Sequence, residues 1–384
     1  MRSSLARPPA VLAALLLLAG ACAPASPPAA KPAPAATSAP PAAAVVPAVS
    51  AAPTAAPVAS PVALGKVRAA SQNVAGDIAM YLAADRGYFQ QEGLDAELVP
   101  FANASEMNAA LATEQVDVAG IGGTAPMWNA VARGVRMKLV LDKGSFRPGY
   151  GFTAVVRRKD LYDSSLGERM ENLRGRTIAL IPPGLGAGNG PVLYAGLQQA
   201  GLTLNDVTVQ QLSFPDMIAA LANGAIDAGL MGEPFLSRSL VQGSIVRMMG
   251  NDEIYPGFTV AALCFTPTFY NNRAAARAFV KAYVRASRDY MGAVTGRTSE
   301  ADRVQIETTL SNYTRIDPAT IRDMVPVSLS LNGLPNQESL VYGYRFYLEQ
   351  GIQTEPLSDA ALAAVWGLEL VEEALNEMGR VPES

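Results

Sequence analysis

The stretch MNAALATEQVDVAGIG at residues 107–122 returns at residues 217–232 as MIAALANGAIDAGLMG. The two copies share the pattern M-x-A-A-L-A-x4-D-x4-G at every fixed position. Each copy predicts an amphipathic helix, a polar turn with an aspartate, and a short apolar strand that ends at glycine. The aspartate and the final glycine match between the two copies, in addition to the helical residues. The chain therefore contains an internal repeat rather than two unrelated alanine-rich helices.

The repeat extends upstream in both copies. In the first copy a strand is predicted at residues 67–70 and a helix near residues 81–88. In the second, a strand at residues 177–181 leads through a glycine-rich loop to a helix near residues 193–200. Both helices stop at small residues or glycine before another predicted strand, as helix C-termini commonly do. The sequence therefore predicts an α/β fold with two similar lobes.

Two segments that combine glycine, proline and aromatic residues, 146–153 and 255–260, are the predicted crossings between the lobes. Residues 66–150 and 258–384 are then assigned to lobe one, and residues 151–257 to lobe two. In parallel sheets the carboxyl ends of the strands and the N-termini of the following helices share one edge, where open α/β sheets bind ligands. We therefore expect a ligand cleft between the two lobes.

The pattern becomes helical beyond residue 269. Aromatic and small residues recur at helical spacing over residues 273–291, which predicts a long amphipathic helix. A further amphipathic helix is predicted over residues 359–378. We expect these C-terminal helices to belong to lobe one.

The composition excludes several classes of function. The chain has 384 residues and a formal net charge of −4, so it lacks the excess of basic residues with which proteins bind nucleic acid. It has no histidine, which removes the commonest general acid/base, the commonest zinc ligand and the usual partner of a nucleophilic serine or cysteine. We expect no catalytic residues, no cofactor and no metal site.

The N-terminus is predicted to be a secretory signal followed by an anchor. Residues 1–21 combine a short basic segment, an apolar run too short to span a bilayer, and small residues directly before Cys22. This layout resembles a bacterial lipobox, which implies lipid attachment at Cys22; a non-lipidated secretory signal is the alternative. Residues 22–65 are rich in alanine and proline and are typical of an extended tether. With Cys22 acylated, Cys264 has no partner for an internal disulfide and is expected to be buried.

Five segments, taken in order, resemble substrate-binding proteins of the nitrate, sulfonate, taurine and thiamine-pyrimidine-precursor uptake family. They read KVRAASQNVAGDIAMYLAADRGYFQQEGLDAELV, LATEQVDVAGIGG, LRGRTIALIPPGLG, LANGAIDAGLMGEP and RAFVKAYVRASRDY, and are distributed from residue 66 to residue 290. The resemblance implies a two-lobed type II periplasmic-binding-protein fold. It also implies that the chain is a monomeric capture component of an ABC importer, with permease subunits and a small-molecule ligand as partners.

The predicted ligand contacts of lobe one lie in loops that follow strands. Glycine at a strand end lets the backbone approach a ligand closely, and polar residues there offer hydrogen bonds. Asp77 has a second interpretation, because an aspartate at this position also fits a helix N-cap. The candidates in lobe one are Asn73, Asp77, Asn103, Ser105, Gly123, Thr124 and Trp128.

The predicted contacts of lobe two follow the same logic. The loop PPGLGAGNG at residues 182–190 is a flexible helix entry that can hold an anion or a carbonyl group. Glu233 follows the last strand of the repeat, where it either points into the cleft or caps the next helix. The candidates in lobe two are Gly186, Asn189, Asp216, Glu233 and Tyr255.

The charges of these loops bear on the ligand class. Asp77, Asp216 and Glu233 come with no lysine or arginine in the same loops, which disfavours a small oxyanion. Acceptors together with nearby aromatic rings favour a planar heterocycle that donates hydrogen bonds, such as a thiamine pyrimidine or riboflavin. An aliphatic sulfonate, taurine or nitrate is the alternative ligand. The enzymatic alternative is a pyrimidine-precursor synthase, but resemblance to those enzymes requires a cysteine-rich motif and a histidine.

Overall fold

The computed structural model describes residues 62–161 and 169–383. The predicted signal sequence, the lipid attachment at Cys22 and nearly all of the tether lie outside the described residues. Within the described part, no helix is both long and apolar enough to cross a membrane.

Two sheets organise the described chain. The strands that precede the first crossing are β1 (Gly65–Ser71), β2 (Leu94–Pro100), β3 (Val118–Gly122) and β4 (Lys138–Ser145). The strands between the crossings are β5 (Thr153–Arg158), β6 (Thr177–Leu180), β7 (Thr208–Gln211), β8 (Ala228–Gly232) and β9 (Ile245–Gly250), and β10 (Thr259–Phe265) follows the second crossing.

Helices cover both sheets and continue past them. Those of the first half are α1 (Ile78–Asp85), α2 (Tyr88–Gln91), α3 (Ala104–Ala112) and α4 (Ala125–Ala132). The middle of the chain contributes α5 (Gly190–Gln199), α6 (Phe214–Asn223), α7 (Phe235–Val241) and α8 (Asn251–Ile254). The C-terminal part contains α9 (Pro267–Asn271), α10 (Arg273–Val294), α11 (Glu300–Thr314), α12 (Pro318–Asp323), α13 (Gln337–Glu349), α14 (Asp359–Ala364) and α15 (Glu369–Met378).

The two sheets have the same topology. Their strand orders are β2-β1-β3-β10-β4 and β7-β6-β8-β5-β9. In each sheet four strands point the same way, but β10 runs antiparallel to β3 and β4, and β5 runs antiparallel to β8 and β9. Each sheet is therefore mixed, which corrects the treatment of both sheets as parallel in the placement of the cleft. The reversed strand is the one that enters from the other sheet, so its direction is set by the crossing and not by a βαβ connection.

The aspartate of the repeat has the same structural role in both lobes. The backbone N–H of Arg68 donates to Asp117 Oδ2 at 2.7 Å, and the N–H of Thr177 donates to Asp227 Oδ2 at 2.9 Å. In return, the N–H of each aspartate donates to the carbonyl of the same partner residue. Each aspartate thus ties the start of the third strand to the start of the first. This explains why the repeat keeps an aspartate at a site remote from the cleft edge.

The two crossings are hydrogen-bonded to each other. The N–H of Phe146 donates to the carbonyl of Phe258 at 2.8 Å, and the N–H of Gly257 donates to the carbonyl of Phe146 at 2.6 Å. The rings of Phe146 and Phe258 are stacked, and both side chains are buried. The chain therefore passes between the sheets as a paired ribbon, at the two segments that the sequence predicts as crossings.

Two other predictions can be compared with the structure. Cys264 is fully buried and unpaired, as expected. The single helix predicted over residues 359–378 was wrong, because α14 and α15 are separated by a short extended segment. There Leu139 of β4 donates its N–H to the carbonyl of Val365 and accepts from the N–H of Gly367. Pairing with the sheet edge interrupts a pattern that is helical in sequence.

Candidate ligand-binding cleft

The loops that follow β1, β2 and β3 in lobe one and β6, β7 and β8 in lobe two form the candidate site. The lobes meet at one side of this edge. A Cβ built on Gly186 of lobe two would lie 3.4 Å from the Cβ of Ala125 in lobe one. Because each loop follows the carboxyl end of a strand, backbone and short polar side chains are what the two lobes offer to a ligand.

Asp77 is buried beneath the loop between β1 and α1. Its Oδ2 accepts from the N–H of Gln72 at 2.9 Å, from Ser71 Oγ at 3.1 Å and from Tyr81 Oη at 3.2 Å. Its Oδ1 lies 2.9 Å from Lys143 Nζ in a buried ion pair. Asp77 therefore has partners within the protein for both oxygens. Its role here is to fix the loop, which corrects its assignment as a direct ligand contact.

Lys143 also corrects the expected charge of the cleft. It lies on β4, and its side chain crosses β3 above Gly120, where an added Cβ would be only 2.4 Å from Lys143 Cδ. The absence of a side chain at Gly120 thus opens the path by which the ammonium group reaches Asp77. A cation supplied by a strand was missed, because only the loops were considered. The available signal was the Asp142–Lys143 pair directly after the apolar residues 139–141, since charges inside a sheet are usually buried with a partner.

The loop above this ion pair stays open to solvent. Asn73 is exposed and has a left-handed backbone with φ of 55°, and its N–H donates to Ser71 Oγ at 3.1 Å. Val74 beside it is 43% exposed, which is unusual for a large apolar side chain in this structure. Asn73 and Val74 are therefore free to meet a ligand at the rim of lobe one.

Three further candidates in lobe one serve helix N-termini or lie beside them. Asn103 caps α3 by accepting from the N–H of Glu106 at 3.0 Å. Ser105 is exposed in the first turn of the same helix. Thr124 precedes α4, and its hydroxyl donates to the carbonyl of Ile121 at 3.0 Å. Capping of this kind is readable from local sequence, and it leaves the amide of Asn103 at the surface.

Trp128 belongs to the core of lobe one. Its side chain is fully buried, with ring centroids 5.1 Å from Tyr344 and 6.5 Å from Trp366. The expectation that this ring stacks on a ligand was therefore wrong in this structure. Both aromatic partners come from the C-terminal part of the chain, more than two hundred residues away in sequence, so no local pattern revealed them.

The glycine-rich loop of lobe two is also internally bonded. Gly186 is buried and faces lobe one, as described above. Asn189 Oδ1 accepts from Asn251 Nδ2 at 2.9 Å, which ties the loop to α8. Gly123 of lobe one is buried as well, and its carbonyl lies 3.0 Å from Tyr347 Oη. These residues shape the edge of the cleft through their backbone.

Asp216 lies at the start of α6 and is exposed. Its carboxylate accepts from Ser213 Oγ at 2.6 Å, and its own N–H donates to the same hydroxyl at 3.3 Å. Phe214, half-buried in the same turn, has its ring centroid 5.1 Å from that of Phe235. Ser213 is therefore the N-cap of α6, and Asp216 in the first turn bonds to this cap while it remains at the surface of the cleft.

Glu233 is engaged by protein donors on both carboxylate oxygens. Oε1 accepts from Ser237 Oγ at 2.7 Å and from the N–H of Val325 at 3.1 Å, while Oε2 accepts from the N–H of Ser237 at 3.1 Å. Burial raises the pKa of this carboxyl above its ordinary value, although the three hydrogen bonds oppose the shift. The structure thus gives Glu233 the capping role that the sequence left open, and it adds a bond to the segment after α12. A direct contact between Glu233 and a ligand stays a prediction.

Tyr255 lies on the second crossing and packs against α13. Its ring centroid is 5.2 Å from those of Phe258 and Tyr342, and burial raises the pKa of its phenol. The sequence analysis missed this C-terminal contribution altogether. It also missed Val325 and Tyr347, because isolated apolar and aromatic residues in a helical region carry no signal of a contact with the cleft edge.

The loops at the cleft edge contain no lysine or arginine of their own. Since Lys143 is paired with Asp77, the cation supplied by β4 is neutralised within lobe one. The exposed groups at the edge are amides, hydroxyls and the carboxylate of Asp216, with half-buried rings at Phe101 and Phe214. The cation-free loop segments are residues 72–77, 101–105, 122–128, 182–190 and 211–216.

Comparison with known proteins agrees with this architecture. A model of the NMT1-like family matches residues 73–301. The structure is similar to the periplasmic aliphatic sulphonate binding protein SsuA from Escherichia coli, with a TM-score of 0.63 and 18% identity over 79% of this chain and 92% of that one. It is similar to the periplasmic nitrate-binding protein NrtA from Synechocystis PCC 6803, with a TM-score of 0.65 and 14% identity over 83% and 90%.

The desulfurization enzyme DSZB has a related structure as well, with a TM-score of 0.59 and 13% identity over 82% of this chain and 99% of that one. No curated protein sequence matches the chain. At these identities the similarity establishes the fold. It confirms the predicted two-lobed type II periplasmic-binding-protein fold and the family to which the sequence was assigned.

Proposed function

Because this chain belongs to the NMT1-like family and has the fold of sulfonate- and nitrate-binding proteins, we propose that it is the substrate-binding component of an ABC importer. It captures a small organic nutrient between its lobes and presents it to permease subunits. The observation that carries this proposal is the pair of sheets of identical topology, joined by a hydrogen-bonded ribbon at Phe146 and Phe258. Two lobes on such a connection can enclose a ligand by rigid-body closure.

The ligand class proposed is a heterocyclic vitamin or vitamin precursor, of the thiamine-pyrimidine or riboflavin type. Support comes from the cation-free loops and from the neutralisation of Lys143 by Asp77. Amides at Asn73 and Asn103 offer both donors and acceptors to the polar edge of a heterocycle. Half-buried rings at the same edge offer apolar area for its faces.

A sulfonate, taurine or nitrate ligand is the second candidate. It is favoured by the likeness to SsuA and NrtA and by the helix N-termini that follow strands at this edge. The backbone N–H groups of helix N-termini bind anions without any basic side chain. The two ligand classes differ in charge, so an added cation at the cleft rim attracts an anion but has no such effect on a neutral heterocycle.

Two observations favour binding over catalysis despite the likeness to DSZB. The chain has no histidine, and Cys264, its one cysteine in the described part, is fully buried with the pKa of its thiol raised by burial. A nucleophilic cysteine requires access and a thiolate, and Cys264 has neither.

The proposed location is the extracytoplasmic face of the cell membrane. A lipid at Cys22 and the alanine- and proline-rich residues 22–65 would hold a monomeric receptor close to its permease. Tethering raises the effective concentration of the receptor at the permease without any additional contact. The tether needs only length and flexibility, so its sequence is expected to tolerate substitution.

Thermal-shift screening with thiamine pyrimidine, riboflavin, taurine, propanesulfonate and nitrate, followed by calorimetry, tests this function. Val74→Arg at the cleft rim is paired with Val304→Arg on α11, because the two valines are 43% and 44% exposed. We expect Val74→Arg to change the affinity of the bound compound and Val304→Arg to leave it unchanged. Tighter binding in Val74→Arg identifies an anion, and weaker binding identifies a neutral heterocycle. Equal effects of both variants would argue against the cleft as the site.

A further inference from the structure

Helix α13 contacts both lobes at one side of the cleft. On the side of lobe one, Leu340 Cδ2 would be 2.7 Å from a Cβ built on Gly123. On the side of lobe two, the ring of Phe346 lies 5.0 Å from the ring of Tyr194 in α5. A Cβ built on Gly343 would lie 3.4 Å from Pro191, also in α5. This helix therefore packs between α4 of lobe one and α5 of lobe two.

Helix α13 is hydrogen-bonded to lobe one, both directly and through the segment that precedes it. The N–H of Asn336 donates to Thr259 Oγ1 at 2.8 Å, and the N–H of Thr259 donates to Ser339 Oγ at 3.0 Å. Earlier in the same segment, the N–H of Ser330 donates to Asp142 Oδ2 at 2.9 Å. These bonds attach α13 to β4 and β10. If the lobes separate, α13 is expected to stay with lobe one and to leave α5.

Tyr347 on this helix has its hydroxyl between the two cleft-edge loops. Its side chain is fully buried, and Oη lies 3.0 Å from the carbonyl oxygen of Gly123 and 3.0 Å from that of Ala187. Gly123 follows β3 of lobe one, and Ala187 lies in the glycine-rich loop of lobe two. A phenol has one hydrogen to donate, so the two carbonyls share a single donor.

We propose that Tyr347 is a positioning residue that sets the separation of the two loops on either side of the cleft. The proposal rests on the proposed binding function and deepens it. When the lobes part, Tyr347 keeps its bond to Gly123, and the carbonyl of Ala187 keeps the N–H of Gly190 at 2.9 Å but loses its bond to the other lobe. The hydroxyl bridges the two loops only when they are close, so its bond to Ala187 favours that state.

Tyr347 is expected to affect ligand affinity through the populations of the two lobe arrangements. The apparent affinity of a receptor scales with the fraction of molecules already in the binding-competent arrangement. By holding Ala187 near Gly123 before a ligand arrives, Tyr347 raises that fraction. It does so from behind the cleft edge and without touching the ligand.

The test is an interlobe distance measured without ligand. Ala112 in α3 and Ala222 in α6 are equivalent positions of the repeat, and both are exposed. Spin labels on Ala112→Cys and Ala222→Cys report the separation of the lobes by pulsed electron resonance. The background carries Cys22→Ala, and the native Cys264 is buried and so protected from labelling.

Tyr347→Phe removes only the hydroxyl. Its matched control is Tyr283→Phe, since Tyr283 is also buried and donates to a backbone carbonyl, that of Asp142 at 2.8 Å, within lobe one. We expect Tyr347→Phe to lengthen the mean distance by roughly 2 Å or more, the scale of domain rearrangements, and to broaden its distribution. Tyr283→Phe should reproduce the wild-type distances, even if its melting temperature falls.

Wild-type distances in Tyr347→Phe, together with a loss of stability like that of Tyr283→Phe, would overturn the proposal and leave Tyr347 with a purely structural role. If Tyr347→Phe does not fold, Tyr347→Met also removes the hydroxyl and places a flexible apolar side chain in the space of the ring. It should also lengthen the distance, and an unchanged distance would again contradict the proposal. Since no ligand is present, failure here leaves the binding function untouched, and failure to bind any ligand leaves this result intact.

Discussion

Replacement of Glu233 by glutamine separates the two roles that its position allows. The carboxylate accepts from Ser237 Oγ, from the N–H of Ser237 and from the N–H of Val325. Glutamine keeps one oxygen and places an NH2 group where the other was. In one orientation of the amide, its NH2 group faces the backbone N–H of Ser237; in the other, it faces the backbone N–H of Val325. In either case one backbone donor loses its acceptor. The substitution therefore breaks the cap of α7 or the bond to the C-terminal part of the chain.

The size of the effect follows from the unpaired N–H. A buried donor left without a partner costs roughly 1 to 3 kcal/mol. For domains of about 150 to 250 residues each kcal/mol lowers the melting temperature by roughly 2 to 4 °C, and less for longer chains. We therefore expect Glu233→Gln to lower the melting temperature by about 2 °C or more. The affinity for ligand should change little by comparison.

Differential scanning calorimetry and ligand titration on the same samples measure both quantities. Asp216→Asn is the control, because Asp216 is exposed in the first turn of α6 and its carboxylate accepts from Ser213 Oγ, the N-cap of the same helix. That variant should lose less stability than Glu233→Gln. An unchanged melting temperature with a tenfold or greater loss of affinity in Glu233→Gln would refute this reasoning and restore Glu233 as a ligand contact.

Three further predictions follow from buried charges and from the N-terminus. Burial raises the pKa of Asp142 from 3.8 to about 6, so the native state holds this proton more tightly than the unfolded chain. Its stabilising effect is complete below pH 3.8 and is lost as the pH rises through about 6. Relative to Asp142→Asn, the wild-type free energy of unfolding should therefore fall by on the order of 3 kcal/mol across that range in denaturant titrations, and a flat difference would contradict this. Lys143→Met should cost roughly 3 to 5 kcal/mol because it leaves the Asp77 carboxylate unpaired, and adding Asp77→Asn should recover much of the loss, whereas additive losses would show that the ion pair is not coupled. Cys22→Ala should release the protein into soluble extracts of a bacterial host with its ligand affinity unchanged, and membrane retention of the variant would exclude the lipid anchor.

The fold could be predicted because its signals are local and occur twice. Asp117 and Asp227 occupy equivalent positions of the repeat. Each exchanges the same backbone hydrogen bonds with a neighbouring strand, through Arg68 in β1 and Thr177 in β6. Periodicity also placed the strands and the long helix α10. It could not show that β5 and β10 run antiparallel, because strand direction depends on where the chain enters the sheet.

The site was harder to predict because its decisive contacts are distant in sequence. Caps such as Asn103 and Ser213 depend on short-range patterns, and the structure contains them. Asp77 finds its cation on another strand, and Glu233 finds a donor at Val325, 92 residues away. Local sequence shows that a buried carboxylate needs a partner, but only the packed structure shows whether that partner is a ligand or the protein itself.

The central claim is that the chain binds a small heterocycle between its lobes and releases it unchanged. Native mass spectrometry of the purified protein, after incubation with an equimolar pool of thiamine pyrimidine, riboflavin, taurine and propanesulfonate, tests this claim most directly. We predict a complex of one protein with one heterocycle, whose mass is unaltered when it is released from the protein. Recovery of a chemically changed compound, or exclusive retention of taurine or propanesulfonate, would contradict the account.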